Sequence, residues 1–164
     1  MQENSICITM PLLTHIAKTQ NKFAKDKFWK INNQRIYDGS LNPFARALIV
    51  DNMHKYIISH IPLEYRTLYL KRTNLVRYEF YTVVNHGDIS RRSDRLCWKP
   101  AIENYKIGWD LNNMSDFWVK VGNDALTLGG VIEDDNVGVI HRTAYSFNMV
   151  DHIDKLKLNI IIKY

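Results

Sequence analysis

"MSDFWVKVGNDALTLGGVIEDDNVGVI", residues 114–140, joins two kinds of order through a pair of glycines. Met114, Phe117, Trp118, Val121 and Ala125 recur at the spacing of one helical face, which predicts a helix over 114–128. Gly129 and Gly130 supply its stop signal and allow the chain to reverse. Beyond them Glu133, Asp134 and Asp135 interrupt an apolar stretch that leads into a predicted strand over 137–147. The chain as a whole carries a formal net charge of +5, so three successive acids at that point need a reason. A solvated turn with Asx chemistry is one. A metal site is the other.

Working outward, "SICITM" (5–10) alternates as a strand does, and Pro11 ends it. "NPFARALIVDNMHKYIISHI" places Asn42 and Pro43 as the N-cap and first residue of an amphipathic helix over 43–60. Its apolar stripe is Ala45, Ile49, Met53, Tyr56 and Ile57. "NLVRYEFYTVV" (74–84) is β-branched, aromatic and alternating, hence a strand. Residues 85–106 show no period and read as a basic loop insertion. "KLKLNIIIKY" (155–164) sets Leu156, Leu158, Ile160 and Ile162 against Lys155, Lys157, Asn159 and Lys163, a final strand. The order β-α-β-loop-α-β-β predicts an α+β fold. Residues 1–164 would form a single domain, with a mixed or antiparallel sheet and helices packed on one face.

With 164 residues and 46% hydrophobic content, one domain can bury a sizeable core. No apolar run approaches the roughly 18–20 residues that span a bilayer, so no membrane partner is expected. The start "MQENSICITMPLL" lacks the basic and long apolar parts of a signal peptide. Cys7 and Cys97 fit no zinc spacing and are too few for a disulfide scaffold. The expectation is a soluble protein of a reducing compartment, the cytoplasm. The six histidines show no ligand spacing and are read as structural or exposed. No Gly-rich phosphate loop or Gly-x-Ser-x-Gly element is present, which leaves nucleotide hydrolysis by that route and serine-hydrolase chemistry unsupported.

The charge is unevenly spread. Residues 66–99 hold Arg66, Lys71, Arg72, Arg77, Arg91, Arg92, Arg95 and Lys99 against Glu79, Asp88 and Asp94. Residues 110–135 hold Asp110, Asp116, Asp124, Glu133, Asp134 and Asp135 against Lys120 alone. A basic body favours an anionic partner, nucleic acid foremost. Lys120 and Asp124 are four apart and share a helical face, with Asn113 seven before Lys120. Reversal at the two glycines can return Asp134 and Asp135 to that face. Carboxylates so gathered repel unless a cation sits among them, and oxygen donors suit Mg²⁺ or Mn²⁺. Against this stand plain alternatives: a solvated i,i+4 pair at 120 and 124, a turn at 133–136, and an Asp110 that favours a helix dipole.

The run "DLNN......K...DAL..GGVIEDDNV..I" resembles the RusA family of Holliday-junction resolvases, found on phages and prophages. The family pattern is Asp-x-Asp-Asn or Asp-x-x-Asn, a helix with Lys and Asp-Ala-Leu, then Gly-Val-Ile-x-Asp-Asp. The match covers residues 107–141 and extends weakly to the N-terminal strand ending in Pro and the helix after it. What the resemblance implies is a Mg²⁺- or Mn²⁺-dependent endodeoxyribonuclease of recombination and repair, acting as a homodimer on four-way junctions or other branched DNA. If phage-encoded, it would work in the cytoplasm of a bacterial host cell. The family's first acidic ligand falls on Asp110 and its last on Asp135, with Asp134 beside it; its lysine falls on Lys120 and its helix aspartate on Asp124. Asn112 stands where the family's second aspartate is expected, and the run to Lys120 is about one helical turn longer than in shorter members. That turn contains Asp116, a possible substitute carboxylate.

The resulting expectation is that Asp110, Lys120, Asp134 and Asp135 carry the chemistry and that Asp110, Asn112, Asp124 and Asp135 surround the metal. DNA phosphates would be tracked by Lys18, Lys22, Lys25, Lys27, Lys30 and Arg35, and by Arg91, Arg92, Arg95 and Lys99 of the loop. Trp29, Phe28 or Trp98 could stack at a crossover, though core packing is the plainer role for each. The rival expectation, kept open by Asn112, is a branched-DNA-binding protein that is catalytically weak or inactive. A nuclease of flaps or forks is a third.

Overall fold

A computed structural model describes residues 4–11, 43–83, 97–98, 107–108, 111–150 and 155–164. The described elements are β1 (Ser5–Pro11), α1 (Pro43–His60), β2 (Leu75–Val83), β3 (Cys97–Trp98), β4 (Ile107–Gly108), α2 (Leu111–Leu128), β5 (Thr143–Val150) and β6 (Lys157–Lys163). A 3₁₀ turn at Leu63–Tyr65 follows α1. The fold is α+β, and its main sheet is mixed, as expected. The strand order is β1-β6-β2-β5, with β6 antiparallel to both neighbours and β2 parallel to β5.

Alternation in the strands makes one sheet face apolar. Register aligns Ile6 with Ile162 and Val76, Ile8 with Ile160 and Tyr78, and Met10 with Leu158 and Phe80. All nine are buried, each contributing about 1.5–3 kcal/mol for a large side chain removed from water. Phe80 stacks on Phe147 of β5 at 4.9 Å and meets Trp118 of α2 edge-on at 6.5 Å. The opposite face is polar: Thr9 donates to Asn159, and Arg77 pairs with Glu79 at 3.2 Å.

Both helices cover the apolar face. From α1, Met53 and Ile57 enter the core, and the Tyr56 hydroxyl donates to the Pro11 carbonyl at 2.7 Å. From α2, Trp118, Val121, Ala125 and Leu126 are buried. Gly122 lets that helix lie directly on Tyr78, since a Cβ there would run into the tyrosine ring. The Tyr78 hydroxyl donates to Asn123 Oδ1 at 2.8 Å, which satisfies both buried groups.

The glycine pair ends α2 as expected, and in a defined way. Val131 N–H reaches back to the Leu126 carbonyl and Gly130 N–H to that of Thr127, with Gly130 at φ +73°. This is a Schellman motif, with buried Leu126 and Val131 as its apolar contact.

The largest differences from the sequence reading are these. The helix begins at Leu111 rather than 114, so Asn112 and Asn113 are helical. The strand expected over 137–147 begins at Thr143. Residues before it form a turn because Asn136 accepts from the amides of Gly138, Val139 and Ile140 through its side chain and carbonyl. Finally, Cys97–Trp98 pairs with Ile107–Gly108, so the basic loop contains a two-residue strand. The rest of residues 85–106 lies outside the described residues.

Candidate functional site

Lys120, Asp124, Asp135 and His54 meet at one place on the surface over the helices. Lys120 and Asp124 stand one turn apart on α2, and Nζ donates to Asp124 Oδ1 at 2.9 Å. The same ammonium donates to Asp135 Oδ2 at 3.2 Å, from the connection that follows the glycine turn. That connection is held by pairing with the segment after α1. Leu70 and Ile132 form a parallel bridge, Thr73 and Ile140 another, and Glu133 N–H donates to the Leu70 carbonyl.

The three acids have separate roles. Asp134 turns back into its own loop, accepting from the Asp135 amide at 2.8 Å and from the Asn136 side chain. Asp135 faces Lys120. Glu133 is exposed. The knot of charge is therefore an Asx-type turn that presents one carboxylate to the helix.

His54 of α1 brings its Nε2 to 3.8 Å from Asp124 Oδ2, the oxygen that Lys120 does not use. Of the two readings open for the histidines, structural or exposed, His54 takes the structural one: its Nε2 is buried and has no hydrogen-bond partner. Sequence reading set His54 aside with the other histidines. The signal that would have found it is position, next to Met53 and three before Ile57, at the rim of the buried stripe facing α2.

The electrostatics follow from these contacts. Lys120 is held above the usual lysine range, chiefly by its hydrogen bond to Asp124 and further by Asp135, with partial burial opposing. It stays an ammonium throughout neutral pH. Burial pushes the Tyr78 phenol well up, and the nearby charge of Asp124 adds to this. Asp124 thus lies above the core and below the solvent, touching Lys120 on one side and approaching His54 on the other.

Of the remaining expected site residues, Asn112 and Asp116 belong to α2, spaced at fours with Lys120 and Asp124 along one continuous helix. Asp110, immediately before α2, lies outside the described residues, as do Lys18, Lys22, Lys25, Lys27, Lys30, Arg35, Arg91, Arg92, Arg95 and Lys99. Among the described residues no three His, Cys, Asp or Glu side chains gather as a metal-holding group, and no helix is long and apolar enough to cross a membrane. No family model and no curated protein matches the chain.

Proposed function

We propose that the protein is a metal-dependent, structure-selective DNA endonuclease that resolves four-way junctions or related branched DNA, working as a homodimer that nicks paired strands. The observation that carries this reading is the Lys120–Asp135 contact. Two carboxylates and a permanently charged lysine, from a helix and from a separate connection, are held together at a partly exposed position. A solvated helix pair would not need the second carboxylate. The RusA-like order of motifs and the basic balance of the chain support the same reading.

The donor chemistry fits a hard divalent cation such as Mg²⁺ or Mn²⁺, because every candidate ligand offers oxygen. Asp135 and Asp124, which already meet at Lys120, would hold it; Asn112, expected as a ligand, stands twelve residues before Asp124 on the same continuous helix, about 18 Å along its axis, and does not share that ion. Bound there, the ion would polarise a phosphoryl oxygen and activate the attacking water. Lys120 keeps its proton and offers positive charge where negative charge builds on the phosphate or the leaving oxygen. Asp124 fixes the Lys120 head group, and Asp134 fixes the turn that aims Asp135. The cytoplasm of a bacterial host suits such an enzyme if the chain is phage-encoded.

A second reading is a branched-DNA-binding protein without catalysis. One observation favours it: the Lys120 ammonium already stands between Asp124 and Asp135 as their cation. A synthetic four-way junction incubated with and without Mg²⁺ separates the two. Paired nicks that require the metal, lost in Asp135→Asn with junction binding retained, support the nuclease. Binding without metal-dependent products supports the rival.

A further inference from the structure

Three histidines lie among the described residues, and two of them have partners. His60 Nδ1 sits 2.8 Å from the Tyr56 carbonyl oxygen and 3.2 Å from the Ser59 hydroxyl. His141 Nε2 accepts from Arg72 Nε at 3.2 Å. His54 differs. Its Nε2 is buried and makes no hydrogen bond, although the ring reaches from α1 to within 3.8 Å of Asp124 Oδ2 on α2. A buried ring nitrogen left unpaired costs stability, and most such groups in folded proteins have a partner.

The gap has a local cause. Asp124 gives its Oδ1 to the Lys120 ammonium at 2.9 Å, and the same ammonium holds Asp135 at 3.2 Å. Oδ2, which Lys120 does not use, is the oxygen that faces the imidazole. Its 3.8 Å separation exceeds a hydrogen bond by about 1 Å. One partner of the carboxylate is therefore in contact and the other stands just short of it. The two partners also differ in freedom. The Lys120 side chain is 56% exposed, that of His54 only 15%, and Met53 and Ile57 beside His54 are buried in the core.

A divalent cation would change which partner can stay. The Lys120 ammonium stands between the two carboxylates that would hold the ion, and two cations in one place repel. Lys120 is long and exposed enough to turn outward. A neutral imidazole N–H suffers no such repulsion, and carboxylates that hold metals are themselves fixed by a hydrogen bond from a second partner.

We infer that His54 is a positioning residue for the metal site: when Lys120 yields Asp124 to a divalent cation, His54 Nε2–H donates to Asp124 Oδ2 and fixes that carboxylate for the ion. This rests on the reading of Asp124 and Asp135 as a metal site, not on what is cut. The bond needs a proton on Nε2 and transfers none.

The test is titration of Mn²⁺ into the full chain without DNA, with free Mn²⁺ followed by its electron paramagnetic resonance signal. His54→Leu, which keeps bulk and removes the donor, should weaken Mn²⁺ binding by about 10- to 100-fold. If that variant fails to fold, His54→Met carries the same expectation. His54→Gln, which restores a side-chain N–H, should recover most of the loss. His60→Leu, which removes a histidine already partnered, should leave the affinity unchanged. Wild-type affinity in His54→Leu, a loss that His54→Gln does not recover, or an equal loss in His60→Leu overturns the role of His54. Metal-dependent nicking of a four-way junction by the wild-type chain then leaves the nuclease reading standing. Mn²⁺ binding that depends on His54, without any nick, sinks the nuclease reading alone. A wild-type chain that binds no Mn²⁺ sinks both.

Discussion

Lys120 and Asp135 are in contact at 3.2 Å although fifteen residues and a full chain reversal separate them. The Schellman turn at Gly130 and the pairing of 131–140 with the segment after α1 bring them together. The contact is partly exposed and cannot be explained by the stability it adds, since surface ion pairs contribute roughly 0–1 kcal/mol.

That imbalance makes the first prediction. Lys120→Met should change unfolding free energy by less than about 1 kcal/mol, while slowing Mg²⁺-dependent nicking of a four-way junction by about 10²–10³. Urea denaturation and initial nicking rates measure the two. A variant that nicks at the wild-type rate removes Lys120 from the chemistry.

His54 makes the second. Its Nε2 is buried without a partner, so His54→Leu removes an unmade hydrogen bond and should melt at or above the wild-type temperature. The same change deprives Asp124 of its second neighbour. Nicking should fall by about 10-fold or more, as for other outer partners of a metal site. A loss of stability with unchanged nicking would mark His54 as core packing only.

Gly122 carries the third. A methyl group there meets the Tyr78 ring, so Gly122→Ala should cost about 1–3 kcal/mol by overpacking. Tyr78→Phe alone strands Asn123 Oδ1, at about 1–3 kcal/mol. The two share one contact, so the double variant should lose less than the separate losses combined. Additive losses would mean that helix and ring do not press on each other.

Alkaline pH gives the fourth. Burial pushes Tyr56 up to about 12 and Tyr78 well above its ordinary value of about 10. The folded protein keeps both phenols neutral while the unfolded chain releases its protons. Their contribution is therefore complete below about pH 10 and is lost as pH rises through the folded values. Melting temperature should fall over that window, and less steeply in Tyr78→Phe. Equal slopes would mean that Tyr78 ionises in the fold as readily as outside it.

Much of the architecture was legible from local pattern. "SICITM" buries every second residue because strand side chains alternate between faces. Pro43 starts α1 because it has no amide to leave unpaired. Errors arose where side chains redirect the backbone. Asn136 accepts three amides and delays β5 to Thr143, an outcome that apolar periodicity does not encode. The polar pair Asn112 and Asn113 hid the first turn of α2, because the apolar spacing that marks the helix starts only at Met114.

The amino-acid order alone determined the cores of the main strands and helices, the apolar face of each, and that Lys120 and Asp124 adjoin. Those properties depend on backbone repeats a few residues long. Only tertiary structure decided that Asp135, and not Asp134, faces the lysine, that His54 approaches Asp124, and that Arg72 lies on His141. Each of these depends on hydrogen bonds between segments distant in sequence, whose relative rotation no local repeat specifies.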